Sequence, residues 1–196
     1  MPEEMTWGGA ESPYYGQHRR TISMFGPIDE EMAERVISQL WELDAENDEP
    51  ICIHLNTEGG SLSDAFAIYD IMKTIAAPVV IMTMGSCMSA GLLILCGADL
   101  RIATPNTVFF YHEMIISDVS FNAQQQISSL HEFYQKSQTD YNRIVKERTR
   151  ISKTVWNKEF EGKTSKFFSA TEALEWKFID HLTVFPKKAK LKVGSE

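Results

Sequence analysis

The sequence predicts an α/β domain built on a parallel-type sheet covered on both faces. Two observations carry that expectation. Near-continuous apolar runs of strand length, such as PICIHLNT (50–57) and PVVIMTMG (78–85), read as strands buried on both sides. Between them lie segments with apolar residues at helical spacing, so strands and helices alternate along the chain.

RTISMF (20–25) reads as a short strand stopped by Gly26-Pro27. A helix then runs from Asp29 to about Asn47. Asp29 can cap it, Glu30 and Glu31 suit the positive end of its dipole, and Ala33, Val36, Ile37, Leu40 and Trp41 form one apolar stripe. After the strand at 50–57, the Gly59-Gly60 turn leads into a helix over about 62–76. The strand at 78–85 closes on Gly85 and feeds an apolar helix near 88–96. LRIAT and TVFFYHE read as strands about the Pro105-Asn106 turn. A long helix fits about 123–148, with Ile127, Leu130, Tyr134, Tyr141, Ile144 and Val145 at helical spacing. Shorter helices near 153–160 and 169–177 close the domain. The expected organisation is a flexible N-terminal arm (1–19), one domain (20–185) and a basic polar tail (186–196).

Composition narrows the function classes. At 196 residues, 43% hydrophobic and 23% charged, the chain has the make-up of a soluble globular protein. Its formal charge of −8 argues against a nucleic-acid surface, which needs a basic face. No apolar run approaches the roughly 18–20 residues that span a bilayer, and the acidic, polar N-terminus has no signal-peptide core. Cys52, Cys87 and Cys96 all sit in apolar segments without zinc-ligand spacing, which points to free core thiols, a reducing compartment and a cytoplasmic location. Gln124-Gln125-Gln126 reads as a solvated helix face and KKAKLK as a solubilising tail.

Three features could carry chemistry. In Gly85-Ser86-Cys87-Met88-Ser89-Ala90-Gly91 a strand ends at a glycine and a small-residue helix begins with Ser89 near its start. A hydroxyl there faces backbone N–H groups and a dipole that favour a developing oxyanion. The same residues also suit a helix that merely packs closely. Asn56-Thr57-Glu58-Gly59-Gly60-Ser61 joins a buried strand to a helix; its paired glycines allow close backbone approach to a ligand, or a purely structural turn. It has neither G-x-G-x-x-G nor a Walker lysine. Five histidines compete for the role of a base: His18 in the arm, His54 within a strand, His131 on the long helix, His181 near the end, and His112 closing VFFYH. Strand ends are where α/β folds build sites, which favours His112 modestly.

Taken together, these segments resemble the Clp protease proteolytic subunit over about residues 20–182. RTISMFGPID with MAERVISQLWELDAEN is similar to that family's first strand and helix. ICIHLNTEGGS resembles the strand leading into its S-P-G-G turn, with Glu58 in place of the proline. AFAIYDIM, MGSCMSAGLLILCG, ATPNTVFFYHE and FFSATEALEWKFID resemble four further family segments in the same order. The resemblance implies a ClpP/crotonase-like fold, a repeated β-β-α superhelix with a protruding long helix. It implies a serine endopeptidase acting on unfolded proteins, with Ser89 as nucleophile, His112 as base and the backbone N–H groups of Gly60 and Ala90 as oxyanion hole. It also implies self-association into heptameric rings, stacked as a tetradecamer and fed by an AAA+ ATPase unfoldase. No cofactor or metal is expected in this chain.

Two departures qualify that expectation. The family's third residue is an aspartate four positions before the serine matched by Ser169; here that position is Ser165. Glu161 or Glu159 could swing in as a substitute acid, or Ser165 could contact the histidine and leave a slower enzyme. A catalytically weak, structural ring subunit is the alternative, and acyl-CoA chemistry on a crotonase-like fold is a third, less favoured reading. After His112 the family has a glycine-rich strand that lines the substrate channel and meets the opposing ring, whereas this chain has EMIISDVSFNA without glycine.

Overall fold

In the computed structural model, residues 20–114 and 124–183 are described. The arm, the tail and the glycine-free segment after Met114 lie outside them. Five strands form a parallel sheet in the order β1 (Thr21–Phe25), β2 (Ile51–Thr57), β3 (Val79–Met88), β4 (Leu100–Ala103) and β7 (His181–Leu182). The crossovers carry α1 (Glu30–Glu46), α2 (Leu62–Thr74) and α3 (Ala90–Gly97). Asp29 caps α1 as expected, accepting from the Met32 N–H at 2.9 Å. Ala33, Val36 and Leu40 are buried, but Trp41 is 56% exposed, because it falls at the edge of the stripe that meets the sheet. All eight residues of α3 are buried. That is the pattern of a helix enclosed on every side.

β3 overruns its expected end at Gly85 by three residues, and those three pair with β5 (Val108–His112). β5 in turn pairs antiparallel with β6 (Ser165–Ser169), a strand the sequence reading did not predict. The five residues of β6 alternate between exposed and inward positions, but the inward ones are Lys166 and Phe168, so SKFFS carries no alternating apolar pattern in its residue types. What holds it is aromatic packing. Phe168 stacks on Phe109, and Phe160 packs against Tyr111, Trp156, Phe168, Trp176 and Phe178. Each fully buried ring contributes about 1.5–3 kcal/mol.

The long α4 (Gln124–Thr149) buries Tyr141, Ile144 and Val145. Residues 128–133 are exposed or half-buried, with Phe133 55% accessible. Short helices α5 (Lys153–Glu159) and α6 (Ala170–Glu175) complete the chain. α6 starts at Ser169 with a reciprocal capping box to Glu172. Cys52, Cys87 and Cys96 are free and buried, and burial pushes the Cys52 and Cys96 thiols up to about 11 and Cys87 well above its ordinary value.

Candidate active site

The Ser89 side of the candidate site is shaped by backbone geometry that two side chains enforce. At Gly85 (φ 72) the ladder between β2 and β3 slips, from Leu55 opposite Thr83 to Thr57 opposite Cys87. Asn56 fills the gap: its Oδ1 accepts from both the N–H and the hydroxyl of Ser86 at 3.0 Å. A Cβ at Gly85 would lie 2.7 Å from that same oxygen. The chain then reaches Ser89 at φ 53, ψ −122. A non-glycine residue rarely adopts such a conformation, which costs about 1–3 kcal/mol and persists only where its surroundings hold it.

Three hydrogen bonds hold it. The Ser89 N–H donates to the Phe110 carbonyl at 2.7 Å, and the Ser89 carbonyl accepts from Leu92 N–H at 3.0 Å and from the Tyr141 hydroxyl at 3.1 Å. Ser89 stands at the N-cap of α3, yet its side chain makes no capping bond, so the hydroxyl is not spent on the helix. The first N–H groups of a helix lack intrahelical acceptors, and Ala90 leads them here.

The Gly59-Gly60 turn lies directly against this helix start. Ile28 N–H donates to the Gly59 carbonyl and Ser61 N–H to the Ile28 carbonyl, which leaves the Gly60 N–H outside that ladder. A Cβ on Gly59 (φ 100) would meet the Ser89 Cβ at 2.7 Å and the Met88 carbonyl at 2.8 Å. Buried Thr57 pins the turn, donating to the Gly26 carbonyl at 2.7 Å and accepting from the Gly59 N–H at 3.0 Å.

The His112 side is built differently. His112 ends β5 with its ring over Phe110, and its Nδ1 lies 2.5 Å from the Glu113 carbonyl. A carbonyl can only accept, so Nδ1 carries the proton and Nε2 is left as the basic nitrogen of the neutral ring. The tautomer is therefore fixed by a backbone carbonyl, a partner that the sequence reading, which offered Glu161, Glu159 or Ser165, did not name.

Ser165 faces His112 across the β5–β6 ladder. Glu113 N–H donates to the Thr164 carbonyl in the next pair, which makes His112 and Ser165 the closely spaced, non-hydrogen-bonded type, with Cα atoms about 4.5 Å apart. Among the described residues no carboxylate forms an ion pair with His112. Glu159 is held by Lys166 at 2.8 Å and Lys158 at 3.1 Å. Hydrogen bonds from those two ammonium groups, Lys166 first, draw its carboxyl down to about 2. Glu161 is exposed in the turn after α5.

Ser89, Ala90, Gly60 and His112 line one open cavity of about 730 Å³. Leu62, Phe66, Met114, Phe133, Tyr134 and Tyr141 supply its apolar wall, and Glu58, Lys136 and Asp140 its charges. His54, His131 and His181 do not line it, and His18 falls outside the described residues. Sequence reasoning missed the positioning roles of Asn56, Thr57 and Tyr141. The first two stood inside a motif already singled out; Tyr141 had only a helical-spacing signal, because its bond to Ser89 spans 52 residues. Among the described residues no three His, Cys, Asp or Glu gather as a metal-ligand set, and no helix is long and apolar enough to cross a membrane.

Known proteins resemble this chain in sequence and in fold. The family model described as Clp protease matches residues 15–185. The ATP-dependent Clp protease proteolytic subunit of Streptococcus sanguinis is 30% identical over 166 residues, covering 83% of this chain and 84% of that one. Subunit 3 of Rhizobium etli is 36% identical over 116 residues, covering 55% and 60% of the two chains. A solved point mutant of ClpP1 from Listeria monocytogenes superposes with a TM-score of 0.74 at 26% identity, over 84% of this chain and 91% of that one. With the predicted order of strands and helices realised around Ser89, and a family match across most of its length, this chain belongs to the Clp protease family.

Proposed function

We propose that this chain hydrolyses peptide bonds with Ser89 as nucleophile, His112 as general base and the backbone N–H groups of Gly60 and Ala90 as oxyanion hole. The observation that carries this reading is the meeting of all four in one cavity, with Ser89 on a strained turn at a helix N-terminus. With Nδ1–H engaged by the Glu113 carbonyl, Nε2 takes the proton from the Ser89 hydroxyl as its oxygen attacks the substrate carbonyl. The negative charge of the tetrahedral intermediate falls to the Gly60 and Ala90 N–H groups. The imidazolium then gives its proton to the departing amine, and water repeats the cycle to release the acyl group.

A neutral carbonyl orients the ring but stabilises the imidazolium less than a carboxylate would. Turnover is therefore slower than for an otherwise equal triad, by up to about 10⁴. Family membership supports unfolded polypeptides as substrates, heptameric rings stacked as a tetradecamer as the assembly, an AAA+ ATPase as the feeding partner and the cytoplasm as the location. One observation favours a second reading, a structural ring subunit with little activity: Ser165 stands where a carboxylate would complete the site.

A fluorophosphonate probe on the assembled protein separates the two. Labelling that is lost in Ser89→Ala, together with peptide hydrolysis lost in the same variant, supports the peptidase. Assembled rings that neither label nor cleave overturn it in favour of the structural subunit.

A further inference from the structure

The charges that line the cavity do not cancel. Lys136 and Asp140 are an i,i+4 pair on α4 at 3.0 Å, and Asp140 also takes Arg143 at 3.5 Å, so the two Lys136–Asp140 charges offset each other. The His112 ring donates to a neutral carbonyl. That leaves Glu58, exposed on the cavity wall, with no ion-pair or hydrogen-bond partner among the described residues. Its place in the fold is closely fixed. It follows Thr57, which is pinned on both sides, and precedes Gly59, which lies against the Ser89 Cβ. Gly60, whose N–H would receive the scissile carbonyl, comes two residues after it. In the matched family segment this position is a proline, so the carboxylate belongs to this chain and not to the shared chemistry.

We propose that Glu58 is a specificity-determining residue that selects polypeptide segments carrying a lysine or arginine within about two residues of the scissile bond, and disfavours acidic ones. The proposal rests on the cavity being the peptide site. A peptide whose carbonyl sits between Gly60 and Ala90 must pass the Glu58 side chain. A cation a few ångströms from that carboxylate gains attraction in a largely aqueous medium, and an anion meets the opposite. Because Glu58 is exposed, the effect is modest and screened: about three- to tenfold between lysine and glutamate in low salt, shrinking as ionic strength rises.

The test uses assembled protein and a matched set of fluorogenic peptides that differ only in a lysine, glutamine or glutamate on either side of the cleaved bond. We expect kcat/KM to fall in that order at one or more positions, and the lysine-to-glutamate ratio to collapse towards one in Glu58→Gln and in high salt. In parallel, anisotropy titrations of the same peptides on Ser89→Ala rings read binding without turnover. Lysine-selective binding that depends on Glu58, where the unmodified rings never cleave, upholds the subsite while sinking the peptidase reading. A ratio near one in the unmodified protein, a ratio unchanged by Glu58→Gln, or no binding of any of the peptides overturns the proposal.

Discussion

The two halves of the site are fixed by different means. Around Ser89, the constraints are backbone geometry and short polar side chains locked onto it, with one hydroxyl added from α4: Gly59 against the serine Cβ, Thr57 pinning the turn, Asn56 filling the β3 bulge and Tyr141 on the Ser89 carbonyl. Around His112, the ring ends an outlying strand pair, leans on Phe110, and is oriented by its own neighbour's carbonyl, with a serine across the ladder. A serine turn held by close backbone contacts leaves little room for a change in shape. A histidine oriented by a neighbouring main-chain carbonyl keeps its tautomer without a carboxylate partner.

The sharpest way to break the first half is Gly59→Ala. The new Cβ would sit 2.7 Å from the Ser89 Cβ and 2.8 Å from the Met88 carbonyl, both on fixed backbone. The Gly60 donor must then shift, so kcat/KM should fall by about 10²–10³, as for loss of one oxyanion donor. Gly26→Ala is the matched control: Gly26 has the same positive φ (99) but nothing within 4 Å of an added Cβ. It should lower stability by about 1 kcal/mol, seen as a lower Tm, and leave turnover in place. Equal activity in the two variants would show that the tight turn is not what shapes the site.

The same division explains what the sequence disclosed. On the Ser89 side the signals are local: one apolar strand runs into the paired glycines at 59–60 and another into the small-residue helix start at Ser89, and the family resemblance then implied roles for Ser89, Gly60 and Ala90 together. The order of the central strands and helices was legible for the same reason. β6 was not, since its hold on the fold is aromatic packing among Phe109, Phe160, Phe168 and Phe178, residues separated by up to about 70 positions. The orientation of His112 was also hidden, because a bond from a ring to the next residue's carbonyl leaves no mark on residue type. Ser165, which the count back from Ser169 puts at the acid position, lies opposite His112 in the ladder.

That pairing makes Ser165→Asp the variant that sharpens the second half. A carboxylate on the closely spaced partner of His112 should displace the Glu113 carbonyl as the acceptor for Nδ1–H and stabilise the imidazolium. We expect kcat/KM to rise by about 10–10²-fold, part of the factor that separates a carboxylate-supported triad from one without it. The acid limb of the rate–pH profile should move to higher pH, because a stabilised imidazolium gives up its proton less readily. A rate unchanged or lowered in well-assembled protein would mean that the carbonyl already does all the ring requires. Glu159→Gln, by contrast, should leave the rate alone, since its lysine partners hold that carboxylate.

The smallest expected effect joins the two halves, because Tyr141 reaches from α4 to the nucleophile turn. Its hydroxyl donates to the Ser89 carbonyl at 3.1 Å, while its ring packs against Tyr111 under β5. Tyr141→Phe keeps the ring and removes only the donor, leaving a buried carbonyl with one bond fewer at about 1 kcal/mol. If that bond holds Ser89 in its strained conformation, kcat should fall roughly fivefold with KM unchanged, and fluorophosphonate labelling should slow in step. Burial pushes the Tyr141 hydroxyl well above its ordinary value, so the donor stays protonated throughout the working range. The ratio of variant to parent rates should therefore be flat from pH 6 to about 9.5. A fall in Tm without any change in kcat would reduce Tyr141 to a packing residue and leave Phe110 and Leu92 as the groups that hold the serine in place.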